Sequence, residues 1–340
     1  MILKMASTGQ FKNNKKIFYG IGFFILLISA CNNQPNNQTD STATLPVKST
    51  PQVITPQFNA DSAYSFTKAQ VDFGPRIPGT KAHENCANYL VAKLKSFGLK
   101  VMVQEATVTT FDSKSFILKN IIASYEPENT NRILLTAHWD TRPWADLDNI
   151  NPTKPFDGAD DGASGVGELL EVARQLGLQK AQTGVDIVLF DIEDYGNQNS
   201  DDPNTWCLGS QYWSNHLPTP NYSPKYGILL DMVGAKNATF PMEGTSMRFA
   251  PNVVQKVWNT AAQLGYSNYF IGATTGETTD DHYFVNSITG IPTIDIVDYR
   301  PAKKNYPYFH HCHSDNMSVI TTSTLKVVGQ VLLELIYQNK

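Results

Sequence analysis

Two adjacent acids, Glu193 and Asp194, follow a strongly apolar run in the segment DIVLFDIEDYG. Such a run reads as a buried parallel strand, so the pair sits where a strand opens into a loop. Adjacent side chains there can point different ways. One carboxylate can bind a metal while its neighbour moves a proton. An isolated acidic pair is ordinarily a solvated turn, but four further segments alter that reading. HWD puts His138 and Asp140 on the same side of an extended chain. GADDGASGVGE sets Asp160 and Asp161 in a glycine-rich turn before a helix, and Asp231 ends another apolar run. HHCHSDN carries His310, His311, His313 and Asp315. Taken singly, His138 reads as a core or surface histidine and Asp161 as a helix cap. Together the five segments offer the nitrogen and oxygen ligands that zinc uses. They point to a hydrolase-type zinc site.

The elements that must position these residues are legible. GTKAHENCANYLVAKLKSFGL predicts a helix, with Tyr89, Leu90, Leu94 and Phe97 near one face and Gly98 as its stop. ILKNIIASY, NRILLTAH, VDIVLFD, KYGILLDMVG and GIPTIDIVDY predict strands, the last with its proline at the start, where a missing N–H is tolerated. GASGVGELLEVARQLG, GSQYWSNHL and NVVQKVWNTAAQLG predict helices. Apolar runs alternating with amphipathic helices imply an α/β fold, a mostly parallel sheet covered on both faces. Ligands bind outside the C-terminal strand ends of such sheets. His138 and Asp140, Glu193 and Asp194, and Asp231 all fall at those ends.

Three lysines, Lys12, Lys15 and Lys16, precede the apolar stretch IFYGIGFFILLISA and Cys31. That order predicts a lipoprotein export signal over residues 1–30, with Cys31 as the acylation site. The apolar stretch is shorter than the roughly 20 residues of a membrane-spanning helix. Residues 31–64 read as a polar tether rich in Asn, Gln, Thr, Ser and Pro, and residues 65–340 as one catalytic domain. The expected placement is the periplasm, anchored to the membrane through lipidated Cys31, with the cell surface as the alternative. A net charge of −4 without a basic block argues against nucleic acid as a partner. Cys86, Cys207 and Cys312 leave one thiol odd, and the sequence does not say which pair, if any, is joined. Asp201 and Asp202 read as part of a polar solvated loop rather than a calcium site.

The segments AHWDTRPWAD, DGADDGASGV, FDIEDYG, LLDMVGA, TDDHYF and HSDN resemble the glutaminyl-peptide cyclotransferases, zinc enzymes related in fold to the dinuclear zinc aminopeptidases. The resemblance spans about residues 65–335. It implies a three-layer zinc exopeptidase-like fold with a central mixed sheet. It implies one zinc ion held by Asp161, Asp194 and His311, with His313 the alternative to His311. Glu193 resembles the catalytic acid/base, and Asp231 and Asp280 the two acids that form a hydrogen-bonded network with it. Asp194 stands where the mammalian members carry glutamate, one methylene longer. Trp144, Trp206, Tyr306 and His310 are the expected pocket walls; Tyr306 and His310 stand where the mammalian enzymes carry phenylalanine and tryptophan. Trp213 reads as core.

The activity implied is conversion of N-terminal glutamine, in peptides or exported proteins, to pyroglutamate with loss of ammonia, by a monomer. The alternative is a zinc aminopeptidase. In the related aminopeptidases the residues matching His138 and Asp231 bind a second zinc, with the Asp161 equivalent bridging. HWDTRPWAD, similar to an insertion of bacterial and insect cyclases, and Asp280 favour the cyclase.

Overall fold

The computed structural model describes residues 54–338. Six strands form one sheet in the order β1 (Lys100–Thr109), β2 (Ser115–Tyr125), β4 (Gly184–Phe190), β3 (Arg132–His138), β5 (Gly227–Asp231) and β8 (Thr293–Val297). The four strands β4, β3, β5 and β8 run parallel, and β1 and β2 extend the β4 edge as an antiparallel ribbon. Every residue of β3, β4, β5 and β8 is buried, which is why these segments are largely apolar, with single polar residues such as Asp186 and Asp295 among them. A separate parallel pair joins β6 (Phe240–Met242) to β7 (Phe270–Thr274).

Helices cover both faces. The larger core is built with α1 (Ala60–Val71), α2 (Lys81–Ser96), α3 (Ala163–Leu178), α6 (Pro251–Gln263) and α8 (Thr322–Tyr337). On the other face α4 (Leu208–Asn215) brings Trp213 against Ile122, Leu134, Val188 and Phe190, so Trp213 is core as expected. Small residues at the start of α3 have a steric cause. A Cβ on Gly165 would lie 2.5 Å from the carbonyl oxygen of Leu230, so only glycine lets the helix sit this close to β5. The remaining short helices are α5 (Gly244–Phe249) and α7 (Asp281–Phe284), the latter running on into a π-helical turn over Val285–Thr289.

The mostly parallel mixed sheet with helices on both faces matches the expected fold class. The sequence reading lacks α1, β1 and α8, and also the short α5, β6 and β7. The tether expected over residues 31–64 is shorter at its C-terminal end, because α1 begins at Ala60, with Asn59 accepting the Ser62 N–H as its cap. Thr67, Gln70 and Ala63 are buried on this helix, so it folds against α3 through few large apolar side chains. That sparse pattern hid it. The expected export signal and Cys31 lie outside the described residues. Among the described residues no helix is long and apolar enough to cross a membrane.

Candidate active site

The order β4–β3–β5 places three strand ends side by side. β3 ends at His138, β5 at Asp231, and β4 runs into Asp191, Ile192, Glu193 and Asp194. Neighbouring strands lie about 4.8 Å apart, close enough for side chains from their ends to converge on one point. His311 arrives from the loop before α8, and Asp161 from the turn before α3. The backbone turns sharply to deliver them. Ile192, Met232, Cys207 and His311 all adopt positive φ, at 54°, 47°, 56° and 52°. A β-branched residue there is costly, and such strain concentrates at functional sites.

Two buried carboxylates hold the turns by clamping consecutive amides. Asp140 accepts the N–H groups of Glu193 and Asp194 at 3.0 and 3.3 Å. Asp315 accepts those of Asp160 and Asp161 at 2.8 and 3.2 Å. Asp140 and Asp160, which the sequence offered as possible ligands, are therefore structural here; the Asp160 carboxylate takes the Gly234 N–H at 2.7 Å. Arg76, fully buried, supports the same turn by donating to the carbonyls of Asp157 and Gly158.

His311 Nε2 lies 3.1 Å from Asp194 Oδ1 and 3.7 Å from Asp161 Oδ2. The Asp161 Oδ2 atom is buried with no hydrogen-bond partner. Asp161, His310 and His311 also bring one ligand atom each within 4.8 Å of one another. Burial would lower the His311 pKa, but the carboxylates of Asp194, Asp146 and Asp161 raise it to about 10. The surroundings thus call for positive charge at this spot, which a metal ion or a proton supplies. Buried carboxylate oxygens and an imidazole nitrogen on converging paths fit zinc. His313 is turned away: its Nδ1 pairs with Asp148 at 3.1 Å, and a third of the side chain is exposed.

A second group forms beside the first. His138 Nε2 lies 3.0 Å from Asp161 Oδ1 and 3.4 Å from Asp231 Oδ1, and the Gly162 N–H approaches the same nitrogen at 3.1 Å. Asp161 therefore stands between His138 and His311, one oxygen toward each.

Glu193 faces a cavity of about 220 Å3 lined also by Asp161, Asp194, Gln198, Trp206, Asp231, Asp280, Tyr306, His310 and His311. Burial pushes the Glu193 carboxyl well up, and Asp194, Asp280 and Asp281 add to it while His138 opposes. The Cys207 thiol donates to Glu193 Oε1 at 3.3 Å. Asp280 caps α7 and is pushed up to about 7 by burial first, then by Asp231. His310 stacks on His311 at 3.8 Å and packs against Tyr306 at 4.5 Å. Burial lowers its pKa to about 3, so it is a neutral wall. Trp206 lies parallel to His311, and a Cβ on Gly196 would come within 1.8 Å of its indole.

Trp144 does not join this wall, contrary to the expectation. It packs with Phe111 and Tyr195, and its Nε1 donates to Asp146 at 3.2 Å. An indole that tied to a neighbour in its own loop has no free face for the cavity. Arg142, Asp146, Gln198 and Cys207 belong to the site without having been anticipated there. Arg142 is buried, donates its N–H to Asp194 Oδ2 at 3.1 Å and its guanidinium to the Asp194 carbonyl at 2.9 Å, and lies 4.8 Å over Trp206. Asp146 receives that guanidinium and sits 3.4 Å from His311 Nδ1. Both lie in HWDTRPWAD, where an Arg and an Asp four apart were the available signal. Cys86, Cys207 and Cys312 are free and buried. A larger, more apolar cavity of about 470 Å3 lies elsewhere, against Trp213 and the buried Arg132–Asp186 pair, and holds none of these groups.

Comparison with known proteins gives the same architecture. The structure aligns with a glutaminyl cyclase of Bacteroides thetaiotaomicron bound to N-acetylhistamine (TM-score 0.82, 49% identity, covering 84% of this chain and 100% of that one). It aligns equally with a leucine aminopeptidase precursor of the same organism (TM-score 0.82, 49% identity, 85% and 100%). A glutaminyl cyclase of Porphyromonas gingivalis is 50% identical (TM-score 0.81, 83% and 99%). Curated relatives are longer: the chain is 34% identical over 148 residues to protein YfbL of Escherichia coli and 26% over 280 residues to mouse carboxypeptidase Q. It spans 41% and 52% of their lengths. The sequence profile of peptidase family M28 matches residues 120–336, a stretch that runs from β2 through α8 and includes every ligand candidate described above. A parallel sheet with acids and histidines at adjacent strand ends, and a family match over most of the chain, agree that this chain belongs to peptidase family M28.

Proposed function

We propose that the chain is a glutaminyl-peptide cyclotransferase that converts N-terminal glutamine to pyroglutamate. The observation that carries this reading is Asp280. Its carboxylate lies within 4.8 Å of Glu193, and it lines the same cavity as the proposed zinc ligands. A hydrolase that activates water has no evident need of this third acid. A small cavity with aromatic walls suits one glutamine side chain, the rest of the peptide remaining outside. The likeness to solved glutaminyl cyclases supports the same reading.

In the reaction the substrate's α-amine forms a bond to its own γ-amide carbon, and the bond to the amide nitrogen breaks to release ammonia. No water is consumed. One zinc ion, held by Asp161, Asp194 and His311, supplies Lewis acidity at the amide carbonyl when bound. Glu193 takes a proton from the α-amine and returns one to the departing nitrogen. A base works best with a pKa near the working pH, and burial among Asp194, Asp280 and Asp281 moves Glu193 that way. The Cys207 thiol occupies Oε1 and leaves Oε2 for the substrate. Asp231 and Asp280 hold protons and hydrogen bonds around it. Trp206, Tyr306 and His310 exclude water, and Arg142 fixes the Asp194 backbone. Export, attachment through Cys31 and action on exported proteins or peptides as a monomer complete the proposal.

One observation favours a second reading, zinc aminopeptidase. Asp161 lies between His138 and His311, with Asp231 beside His138, as a bridging ligand would. A second cation there would orient a water nucleophile; a proton there suits the cyclase. Mass analysis of products separates the two. Gln-initiated peptides should lose 17 Da, about one ammonia, with chain length kept. Release of free residues from Leu-initiated peptides would overturn the proposal. Glu193→Gln should lower kcat by about 10²–10⁴-fold, and near-full activity would remove Glu193 from its role.

A further inference from the structure

Asp280 needs something to hold it. Its helix, α7, is four residues long, and the loop ahead of it has no regular structure. The fixed point behind both is Glu243, which is completely buried and lines no cavity described here. Its Oε1 accepts the N–H groups of Thr245 at 2.7 Å and Thr278 at 2.8 Å. Its Oε2 accepts the Ser246 N–H at 2.7 Å, the Ser246 hydroxyl at 2.8 Å and His282 Nε2 at 3.0 Å. Thr278 and His282 flank Asp280 by two residues on either side. The Ser246 hydroxyl also accepts the Asp295 N–H at 2.9 Å, which ties β8 into the same knot.

A carboxylate that caps a helix needs only the first amides of that helix. The Thr245 and Ser246 bonds meet this need for α5. The bonds to Thr278 and His282 do not serve the cap; they reach across 35 and 39 residues to the segment that carries Asp280. Burial opposes ionisation of Glu243, but His282 and the backbone amides outweigh it and bring its pKa down to about 2. It therefore stays a fixed anion over the whole working range and carries no proton in the reaction.

We infer that Glu243 is a positioning residue for cyclisation, setting the Asp280 carboxyl opposite Glu193 by clamping the chain on both sides of it. The inference deepens the cyclotransferase reading and rests on the part given there to Asp280. Displacing a reacting group by about 1 Å can cost roughly 10²-fold in rate, so a clamp remote from substrate can still control kcat.

The test is a double-mutant cycle on the zinc-loaded protein with a Gln-initiated peptide. Glu243→Gln, Asp280→Asn and the pair are compared for kcat, KM, zinc content and urea midpoint. Glutamine keeps the size of the side chain but turns an NH2 toward donors. Glu243→Gln should lower kcat by about 10–100-fold with KM within about twofold and zinc content unchanged. In the Asp280→Asn background it should lower kcat no further, because the group it positions is already gone. A general loss of folded protein would instead reduce both backgrounds alike. Glu243→Gln with wild-type kcat, in an enzyme that needs Asp280, overturns the inference and leaves the cyclotransferase reading standing. Multiplicative losses overturn it in the same way. Wild-type kcat in Asp280→Asn removes the Asp280 role and the inference with it. Should Glu243→Gln fail to fold, His282→Gln, which removes one arm of the clamp, carries the same cycle with a smaller loss expected and the same refuting outcomes.

Discussion

Replacing Asp140 by asparagine tests whether the Glu193–Asp194 turn is built by its clamp. The carboxylate accepts two consecutive buried N–H groups, at 3.0 and 3.3 Å. The amide of the substitute can accept one of them with its oxygen. Its NH2 group then faces the other N–H, leaving a buried donor unpaired at a cost of about 1–3 kcal/mol. The retained bond also weakens from charge-assisted to neutral, a further loss of about 1 kcal/mol. The sum, about 2–4 kcal/mol, is a large part of a domain stability of about 5–15 kcal/mol, so the variant should fold with a much lower urea midpoint. Because the amides belong to the proposed acid/base and to a proposed zinc ligand, kcat/KM should fall by about 10²-fold or more. Urea denaturation and steady-state kinetics at matched zinc content check both. A variant within about 0.5 kcal/mol of wild type and within twofold in kcat/KM would refute the clamp.

Asp280→Asn should raise stability at alkaline pH while lowering activity. The folded protein holds the Asp280 proton up to about pH 7, and the unfolded chain releases it near 4. The folded state therefore binds the extra proton between those values, and stability falls as pH rises across that window. The variant should flatten this slope in melting temperature between pH 5 and 8; an unchanged slope would count against it. Gly196→Ala drives a methyl into the Trp206 indole, which must leave its place beside His311. KM for a Gln-initiated peptide should rise several-fold, with about 1–3 kcal/mol lost in stability, and an unchanged KM would remove Trp206 from the pocket. Chelation should lower both activity and melting temperature, zinc restoring both; His311→Ala should lose bound zinc outright, measured by elemental analysis. Retention of a full equivalent of zinc would exclude His311 as a ligand.

The buried strands were easy to read because each is a largely apolar run, interrupted at most by single polar residues such as Asp186 and Asp295, and closed by acids or a histidine. Strand ends carried the site for the same reason: polar residues at the end of such a run have few other uses. The sequence was silent on α1, whose buried face holds Ala63, Thr67 and Gln70, none of which stands out as apolar. It was silent on α8 as well, where Val327, Val328, Val331, Leu332, Leu333 and Leu335 are buried nearly all round and give little periodicity. Tryptophan type alone did not say where an indole points. Trp144 and Trp206 are equally plausible as walls on paper, and only Arg142, lying over both rings, shows how one faces the cavity and the other the loop. Glu243 was invisible, because its partners are mostly backbone amides, which leave no mark in a string of side chains.

The paired amide clamps have a consequence for how the site comes into being. Asp140 reaches 53 residues along the chain to Glu193, and Asp315 reaches back 154 to Asp161. Contacts of such long range form late in folding. The turn bearing Asp161 waits for a segment made 154 residues later, the same segment that delivers His311. A chain still emerging from a ribosome thus has most of its strands but not its centre. Occupancy of the centre becomes a certificate that the Asp315 segment has arrived, and proteins cut short before Asp315 should be folded poorly and inert together.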